Sequence, residues 1–204
     1  MLASTNHSAG NAKHQSGGCV RNGTHRSVTH PDSAALSWPD AIFAHLKRTN
    51  VQQVAYVPDA GHARLIQRCI DDPDIIDVVL TTEEEGVALA VGAAFGGQRS
   101  ALLMQSSGVG NCVNMFSILR GFGVPCLMFV TMRGEFGEFN PWQVPMGSIT
   151  NDVLKHSGFL TYRIDRPDEV HEIVGAACDM AFSGSVPIAV LLSQQLIGRK
   201  QWVR

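Results

Sequence analysis

Polar, charged and glycine-rich residues follow four predicted β-strands of this 204-residue sequence, directly where each strand ends. The segments are residues 57–62, 81–86, 105–111 and 132–138. Because the carboxyl ends of parallel strands share one edge of a sheet, where α/β proteins bind ligands, we expect these segments to converge. Their convergence indicates a functional site more strongly than any one segment does.

Three consecutive glutamates, Glu83, Glu84 and Glu85, open a predicted helix. The helix dipole favours acids in a first turn by a few tenths to about 1 kcal/mol each, which explains them as structure alone. Residues 87–95 carry no charge, however, and this predicts a helix that is buried nearly all round. At least one acid is then expected to point into protein, where burial or a charged partner shifts its pKa.

Other residues of these segments also have purely structural interpretations. The pair Gly108-x-Gly110 is typical of a tight strand-to-helix turn, or of a dinucleotide fingerprint whose third glycine is replaced by Val113. Asp59 fits a helix N-cap, and His62, one turn later, is expected at the surface.

The segment 133–147 shows no hydrophobic periodicity. It contains Arg133, Glu135, Glu138 and Gln143 together with three aromatic residues. Structureless stretches of this length inside a compact domain are usually functional or disordered, and the aromatic residues argue for order. We therefore expect a binding loop, followed by a helix near residues 149–156.

Alternating strand and helix signals from Ser37 onward must position these residues. Strands are predicted at 51–57, 75–80, 101–105, 125–131, 159–164 and 187–192, with helices between them that include one at 109–119. Several strands are continuous apolar runs, as in parallel strands that are buried on both faces. The sequence predicts a doubly wound α/β domain of about six mainly parallel strands with helices on both faces.

Composition restricts the classes of function. Charged residues make up only 17% of the chain, which predicts surface hidden against another chain because soluble domains typically have about 25%. A net charge of −2 and the lack of a basic stripe exclude a strongly basic nucleic-acid binder. No apolar run reaches the ~18 residues of a membrane span. The five cysteines are scattered, never form CxxC and are expected to fill the core, which fits a cytoplasmic protein.

Residues 1–35 differ from the rest of the chain. Residues 1–31 contain no Asp or Glu and almost no large aliphatic side chains, so they cannot bury enough apolar surface to offset their ordering entropy. We expect a disordered tail at 1–35 and one domain at 36–204. Four irregularly spaced histidines in the tail do not indicate a metal site: His7, His14, His25 and His30.

As an ordered set, the strand-end motifs resemble the pyrimidine-binding domain of thiamine-diphosphate-dependent 2-oxoacid decarboxylases. The motifs are Val57-Pro58-Asp59, Thr82-Glu83-Glu84-Glu85-Gly86-Val87, the stretch 103–111, and Arg133-Gly134 with residues 143–147. The similarity covers about residues 37–192 and is greatest to sulfopyruvate decarboxylase α subunits, with phosphonopyruvate decarboxylase next. It implies that a small acidic 2-oxoacid is converted to an aldehyde and CO₂ with thiamine diphosphate as cofactor.

The resemblance also implies roles for individual residues. Glu84 would bond N1′ of the cofactor's aminopyrimidine, and Asp59 and His62 would supply acid–base groups near the substrate. Other residues would border the cofactor (Ser107, Gly108, Gly110 and Asn111) or the substrate (Gln105 and Gln143). Arg133 is our candidate for the far anionic end of the substrate, because a guanidinium fork suits sulfonate or phosphonate oxygens.

The family binds the cofactor's diphosphate and a divalent metal through a second domain that carries a Gly-Asp-Gly motif. This sequence has no Gly-Asp-Gly, so the resemblance implies a β subunit that holds the Mg²⁺, no metal ligand in this chain, and no activity without the partner. Phosphonopyruvate or another 2-oxoacid could be the substrate, with decarboxylation or carboligation as the outcome. An NADP- or nucleotide-binding Rossmann domain and a non-catalytic relative are the alternatives from other classes.

Overall fold

A computed structural model of the chain describes residues 36–198. The expected tail at 1–35, with Cys19 and the four histidines named above, lies outside the described residues, as do residues 199–204. The strands are β1 (Val51–Tyr56), β2 (Ile76–Val79), β3 (Arg99–Gln105), β4 (Cys126–Thr131), β5 (Leu160–Ile164) and β6 (Pro187–Leu192). The helices are α1 (Trp38–Arg48), α2 (Ala63–Ile70), α3 (Glu83–Phe95), α4 (Ser106–Cys112), α5 (Phe116–Phe122), α6 (Val144–His156), α7 (Val170–Phe182) and α8 (Gln194–Ile197), with 3₁₀ turns at Pro141–Gln143 and Pro167–Glu169.

The six described strands form one sheet in the order β2-β1-β3-β4-β6-β5, and every neighbouring pair is parallel. The predicted fold class is therefore confirmed. After β2 the chain returns to the other side of β1 to form β3, so the strand order reverses between β1 and β3. A crevice opens at such a switch point, outside the carboxyl ends of the strands.

Two hydrophobic layers hold helices on the two faces of the sheet. One layer packs α1, α2 and α7 on side chains such as Leu103 and Phe129, and the other packs α3 to α6 on side chains such as Met104 and Met128. Because successive residues of a strand point to opposite faces, β3, β4 and β6 must be apolar at nearly every position. This explains their continuous apolar runs.

Two helix boundaries differ from the prediction. The helix expected at 109–119 is wrong: α4 begins directly after β3, and a break at residues 113–115 separates it from α5. After the break, the amides of Ser117 and Ile118 bond the carbonyl oxygens of Asn114 and Met115, three residues back, so the chain makes tight 3₁₀-type turns there instead of continuing the α-helical pattern. The helix expected near 149–156 begins at Val144, since Pro145 in its first turn needs no hydrogen-bond acceptor.

Helix α3 is not buried nearly all round, so that expectation is wrong for this chain. Ala88, Gly92 and Phe95 form an exposed stripe along one side of the helix. The opposite side lies very close to the sheet, because a Cβ on Gly86 would overlap the side chains of Leu102 and Leu80. Glycine at this position therefore brings the acidic first turn of α3 against the carboxyl end of β3.

The four described cysteines are free and buried, as expected of core-filling residues. No helix in the described part of the chain is long and apolar enough to cross a membrane.

Candidate active site

The carboxyl ends of β1, β3 and β4 are joined by hydrogen bonds to the carboxylate of Asp59. Gln105 Nε2 donates to Oδ1 at 2.8 Å, and Thr131 Oγ1 donates to Oδ2 at 2.7 Å. Helix α2 begins four residues after Asp59, at Ala63, so the N-cap interpretation of this aspartate is wrong. The structure thus places Asp59 and Gln105 together at the switch point between β1 and β3.

Two further predicted site residues lie beside Gln105. Its Oε1 accepts long hydrogen bonds from Ser107 Oγ at 3.3 Å and from Gln143 Nε2 at 3.5 Å. Gln143 belongs to the 3₁₀ turn that precedes α6. The segment after β4 therefore folds back over the end of β3.

The environment of Asp59 favours its ionised form. Burial acts to raise the pKa of this carboxyl, but the hydrogen bonds from Thr131, Gln105 and the Gly61 amide hold the pKa below its ordinary value. Asp59 is consequently a carboxylate at neutral pH.

His62 is completely buried, so its expected surface position is wrong. Its Nε2 lies 3.3 Å from the carbonyl oxygen of Met104 and 3.2 Å from that of Phe129. Carbonyl oxygens only accept, so Nε2 carries a proton and donates to them. Within residues 36–198, His62 Nδ1 is the only buried side-chain nitrogen or oxygen without a hydrogen-bond partner. Burial lowers the pKa of His62, which keeps the ring neutral beneath the loop that carries Asp59.

A cavity of about 220 Å³ opens beside Asp59 at this edge of the sheet. Its lining includes Asp59, Gly61, Thr131, Arg133, Gln194 and Ile197. His62 is not part of the lining, so it does not reach this cavity directly. The cavity offers both a carboxylate and a guanidinium to a small polar molecule.

Arg133 is not the open guanidinium fork that we expected from the sequence. Its Nε and Nη2 each donate to Glu138 at 2.7 Å, and the side chain of Glu138 is only 3% exposed. Burial acts to raise the pKa of Glu138, but Arg133 and the amides of Asn140 and Gly134 lower it to about 2. Only Nη1 of the guanidinium lies outside this two-bond bridge.

A second group of polar residues lies where α3 meets α4. Asn111 Nδ2 donates to Glu83 Oε2 at 2.8 Å, and a Cβ added to Gly108 would lie 2.5 Å from the Glu83 carboxyl carbon. Gly108 therefore makes room for Glu83. Both Gly108 and Gly110 lie inside α4, so their interpretation as a strand-to-helix turn is wrong.

The three glutamates of α3 have different surroundings. Glu83 accepts from Asn111, and Glu85 accepts from the Thr81 amide at 2.9 Å. Glu84 is half-buried, and no group among residues 36–198 donates a hydrogen bond to its carboxylate. Among the three glutamates, Glu84 is thus the one whose carboxylate accepts no hydrogen bond from the described residues.

Sequence reasoning missed two residues of this edge, Thr131 and Gln194. Thr131 is a polar residue at the end of an otherwise apolar strand, and Gln194 comes two residues after β6. The rule that selected Asp59 and Gln105, polar residues at strand ends, would have found both. Across residues 36–198, no group of three or more His, Cys, Asp or Glu side chains could hold a metal ion.

No family model matches the chain. It is 33% identical over 152 residues to sulfopyruvate decarboxylase subunit alpha of Methanocaldococcus jannaschii, covering 74% of this chain and 90% of that protein. It is 37% identical over 155 residues to the same subunit of Methanothermobacter thermautotrophicus, covering 75% and 93%. Phosphonopyruvate decarboxylase of Streptomyces viridochromogenes is 33% identical over 159 residues, which are 76% of this chain but 40% of that protein.

Solved structures share the fold at low sequence identity. A Mycobacterium smegmatis protein assigned to the thiamin diphosphate-dependent enzymes superposes with a TM-score of 0.65 at 15% identity. The alignment covers 83% of this chain and 34% of that chain, so this chain spans about a third of the length of its structural neighbour.

Proposed function

The chain belongs to the family of sulfopyruvate decarboxylase α subunits, which are subunits of 2-oxoacid decarboxylases, and on this premise we propose how its site works. It is the subunit that binds the pyrimidine ring of thiamine diphosphate, and its substrate is a small acidic 2-oxoacid resembling sulfopyruvate. The observation that carries this proposal is the half-buried Glu84, whose carboxylate is free of hydrogen bonds within the described residues.

An aminopyrimidine ring needs a carboxylate at one ring nitrogen and a backbone that comes close to its face. In this proposal Glu84 supplies the carboxylate and Gly108 and Gly110 supply the backbone, while the carboxylate that lies beside Gly108 in the structure is that of Glu83. A Cβ on Gly110 would already lie 3.3 Å from Met146 Sδ, so a side chain there would narrow the space between α4 and α6. When bound, thiamine diphosphate supplies the carbon nucleophile and the electron sink for loss of CO₂.

We assign a role in binding or proton transfer to each polar residue of the candidate site. Glu84 holds a proton at the ring nitrogen that it bonds, while Ser107 and Asn111, exposed on α4, border the ring. Asp59 accepts a proton beside the substrate, and Gln105 and Gln143 orient the substrate's oxygens. His62 does not line the cavity, so we expect it to support the loop of Asp59 through its bonds to the Met104 and Phe129 carbonyls rather than to contact the substrate.

The acidic end of the substrate binds in the cavity beside Arg133. Two of its guanidinium nitrogens already bind Glu138, so Arg133 contacts the substrate through Nη1 and not as a two-pronged fork. Turnover of sulfopyruvate, phosphonopyruvate and pyruvate by the wild type and by Arg133→Ala identifies the substrate class. Loss of preference for the acidic substrates in the variant supports this placement.

A β subunit supplies the diphosphate and Mg²⁺ sites. The α-subunit relatives are matched over 90% and 93% of their length, whereas phosphonopyruvate decarboxylase is matched over only 40% of its length. The longer relative therefore carries, in one chain, a region that this chain does not match, and we propose that the β subunit supplies the equivalent of that region.

The exposed stripe of α3 is the surface that we assign to the β subunit. It runs from the acidic first turn, beside Glu84, to Phe95, which packs edge-on against Phe122 of α5 with ring centroids 5.3 Å apart. Both rings are more than half exposed, and residues 86–98 carry no charge. Interface cores are depleted of charge and enriched in aromatic residues, as this surface is.

Decarboxylation by the chain together with a β subunit that carries the Gly-Asp-Gly motif tests the proposal. We expect Glu84→Gln to lower kcat by about 100-fold or more, the usual contribution of a proton-transferring group. Glu85→Gln is the matched control, because it keeps an acceptor for the Thr81 amide and should keep its activity. Full CO₂ release by the Glu84 variant would remove the assignment.

A further inference from the structure

Gln194, the first residue of α8, binds two parts of the segment that follows β4. Its Oε1 accepts from the amides of Glu135 and Phe136, both at 2.9 Å, and its Nε2 donates to Glu138 Oε2 at 3.0 Å. The residue is only 5% exposed and lines the same cavity as Arg133. A side-chain amide is suited to this place because it accepts and donates at once.

These bonds connect Gln194 to Arg133 through Glu138. Glu138 receives both nitrogens of the Arg133 bridge, the Gly134 amide and Gln194 Nε2, so Gln194 fixes the carboxylate that in turn fixes the guanidinium. We propose that Gln194 is a positioning residue: it holds the segment 133–138 and the Arg133–Glu138 pair in place, and thereby shapes the cavity for the acidic end of the substrate. The substrate part of this inference rests on the proposed function.

A second contact holds the same segment but is more exposed. Arg163 of β5 donates to both carboxylate oxygens of Glu135, at 2.7 and 2.9 Å, with side chains that are 41% and 21% exposed. Exposed ion pairs contribute little, because water screens them and ordering two long side chains costs entropy. The buried amide of Gln194 is therefore expected to dominate, and Arg163 offers the matched control.

Two variants of Gln194 separate its role as an acceptor for the amides of Glu135 and Phe136 from its role as a donor to Glu138. Gln194→Leu removes the acceptor for the two amides and the donor to Glu138. Gln194→Glu keeps an acceptor for the amides of Glu135 and Phe136 but loses the donor and places a second carboxylate beside Glu138. Arg163→Met removes only the exposed contact.

Hydrogen exchange of the full chain, bound to its β subunit, gives a readout that needs no activity. We expect the amides of residues 135 and 136 to exchange at least ten times faster in Gln194→Leu, and near the wild-type rate in Gln194→Glu and Arg163→Met. Unchanged exchange in a folded Gln194→Leu chain would overturn the inference. If that variant fails to fold, tenfold faster exchange at these amides in Gln194→Glu would overturn it, because this variant keeps their acceptor.

Steady-state kinetics on the same complexes tests the effect on the substrate. In both Gln194 variants we expect KM for the acidic 2-oxoacid to rise at least tenfold while kcat stays within threefold, since Glu84 and Asp59 are untouched. A fall in kcat without a rise in KM would contradict a positioning role. Should the wild-type complex turn over no 2-oxoacid, the proposed function fails, and the exchange data still decide whether Gln194 holds the segment.

Discussion

Replacing Glu138 by glutamine should remove a defined part of the pH dependence of stability. The pKa of Glu138 falls from an ordinary 4.5 to about 2 because its carboxylate is held by Arg133 and two amides. A carboxyl whose pKa is lower in the folded than in the unfolded chain stabilises the fold above the unfolded pKa. This stabilisation is therefore complete above about pH 4.5 and is lost as the pH falls towards 2.

The two pKa values of Glu138 give the size of this stabilisation. Each pKa unit corresponds to about 1.4 kcal/mol, so the drop from 4.5 to about 2 is equivalent to about 3 kcal/mol at neutral pH. The Glu138 side chain is 3% exposed, so water screens the interaction little. The amide that replaces the carboxylate in Glu138→Gln would still accept one hydrogen bond from the guanidinium but would leave its charge without a buried counterion.

Equilibrium unfolding of the full chain in urea, repeated from about pH 7 to about pH 3, measures this difference. The free energy of unfolding of the wild type should exceed that of Glu138→Gln at neutral pH, and the gap should narrow as the pH falls below about 4.5. Asp40, Asp59 and Asp72 also have lowered pKa values, but they titrate in both proteins and cancel in the difference. A gap that stays constant across this range would refute the reasoning.

The surface assigned to the β subunit and the role of Asp59 give two further predictions. Gly92→Arg, in the exposed stripe of α3, should prevent co-purification with the β subunit. Ala176→Arg, at an exposed position of α7 on the other face of the sheet, should not. Normal assembly of the Gly92 variant would exclude this surface. Asp59→Asn should lower CO₂ release by the assembled enzyme about 100-fold, because an amide accepts no proton, while its circular dichroism stays that of the wild type. An unchanged rate would mean that Asp59 has no part in proton transfer.

The fold and its polar edge could be predicted because both follow from periodicity. A strand buried on both faces is apolar at every position, as residues 126–130 show, and it can become polar only where it leaves the core. Asp59 and Gln105 stand at such points, and the structure joins them by a hydrogen bond. The site roles given to Glu84 and its neighbours remain predictions of the resemblance.

The details of the segment after β4 could not be predicted, because no repeating pattern governs them. The sequence shows Arg133 and Glu138 five residues apart, but their pairing depends on how the chain turns at Gly134, which has a φ of +77°. The burial of His62 depends in the same way on the carbonyl groups of β3 and β4 that meet its ring. Such contacts are set by the packing of distant elements rather than by local residue types.

The strand order has a consequence for the synthesis of the chain. Strand β5 pairs only with β6, and β6, the last of the described strands to leave the ribosome, pairs on its other side with β4. Until residues 187–192 emerge, one side of β4 lacks its neighbour and β5 has no ladder to join. Unpaired strand edges invite association with other chains. The nascent polypeptide is therefore most in need of chaperone protection in the interval between translation of β5 and translation of β6.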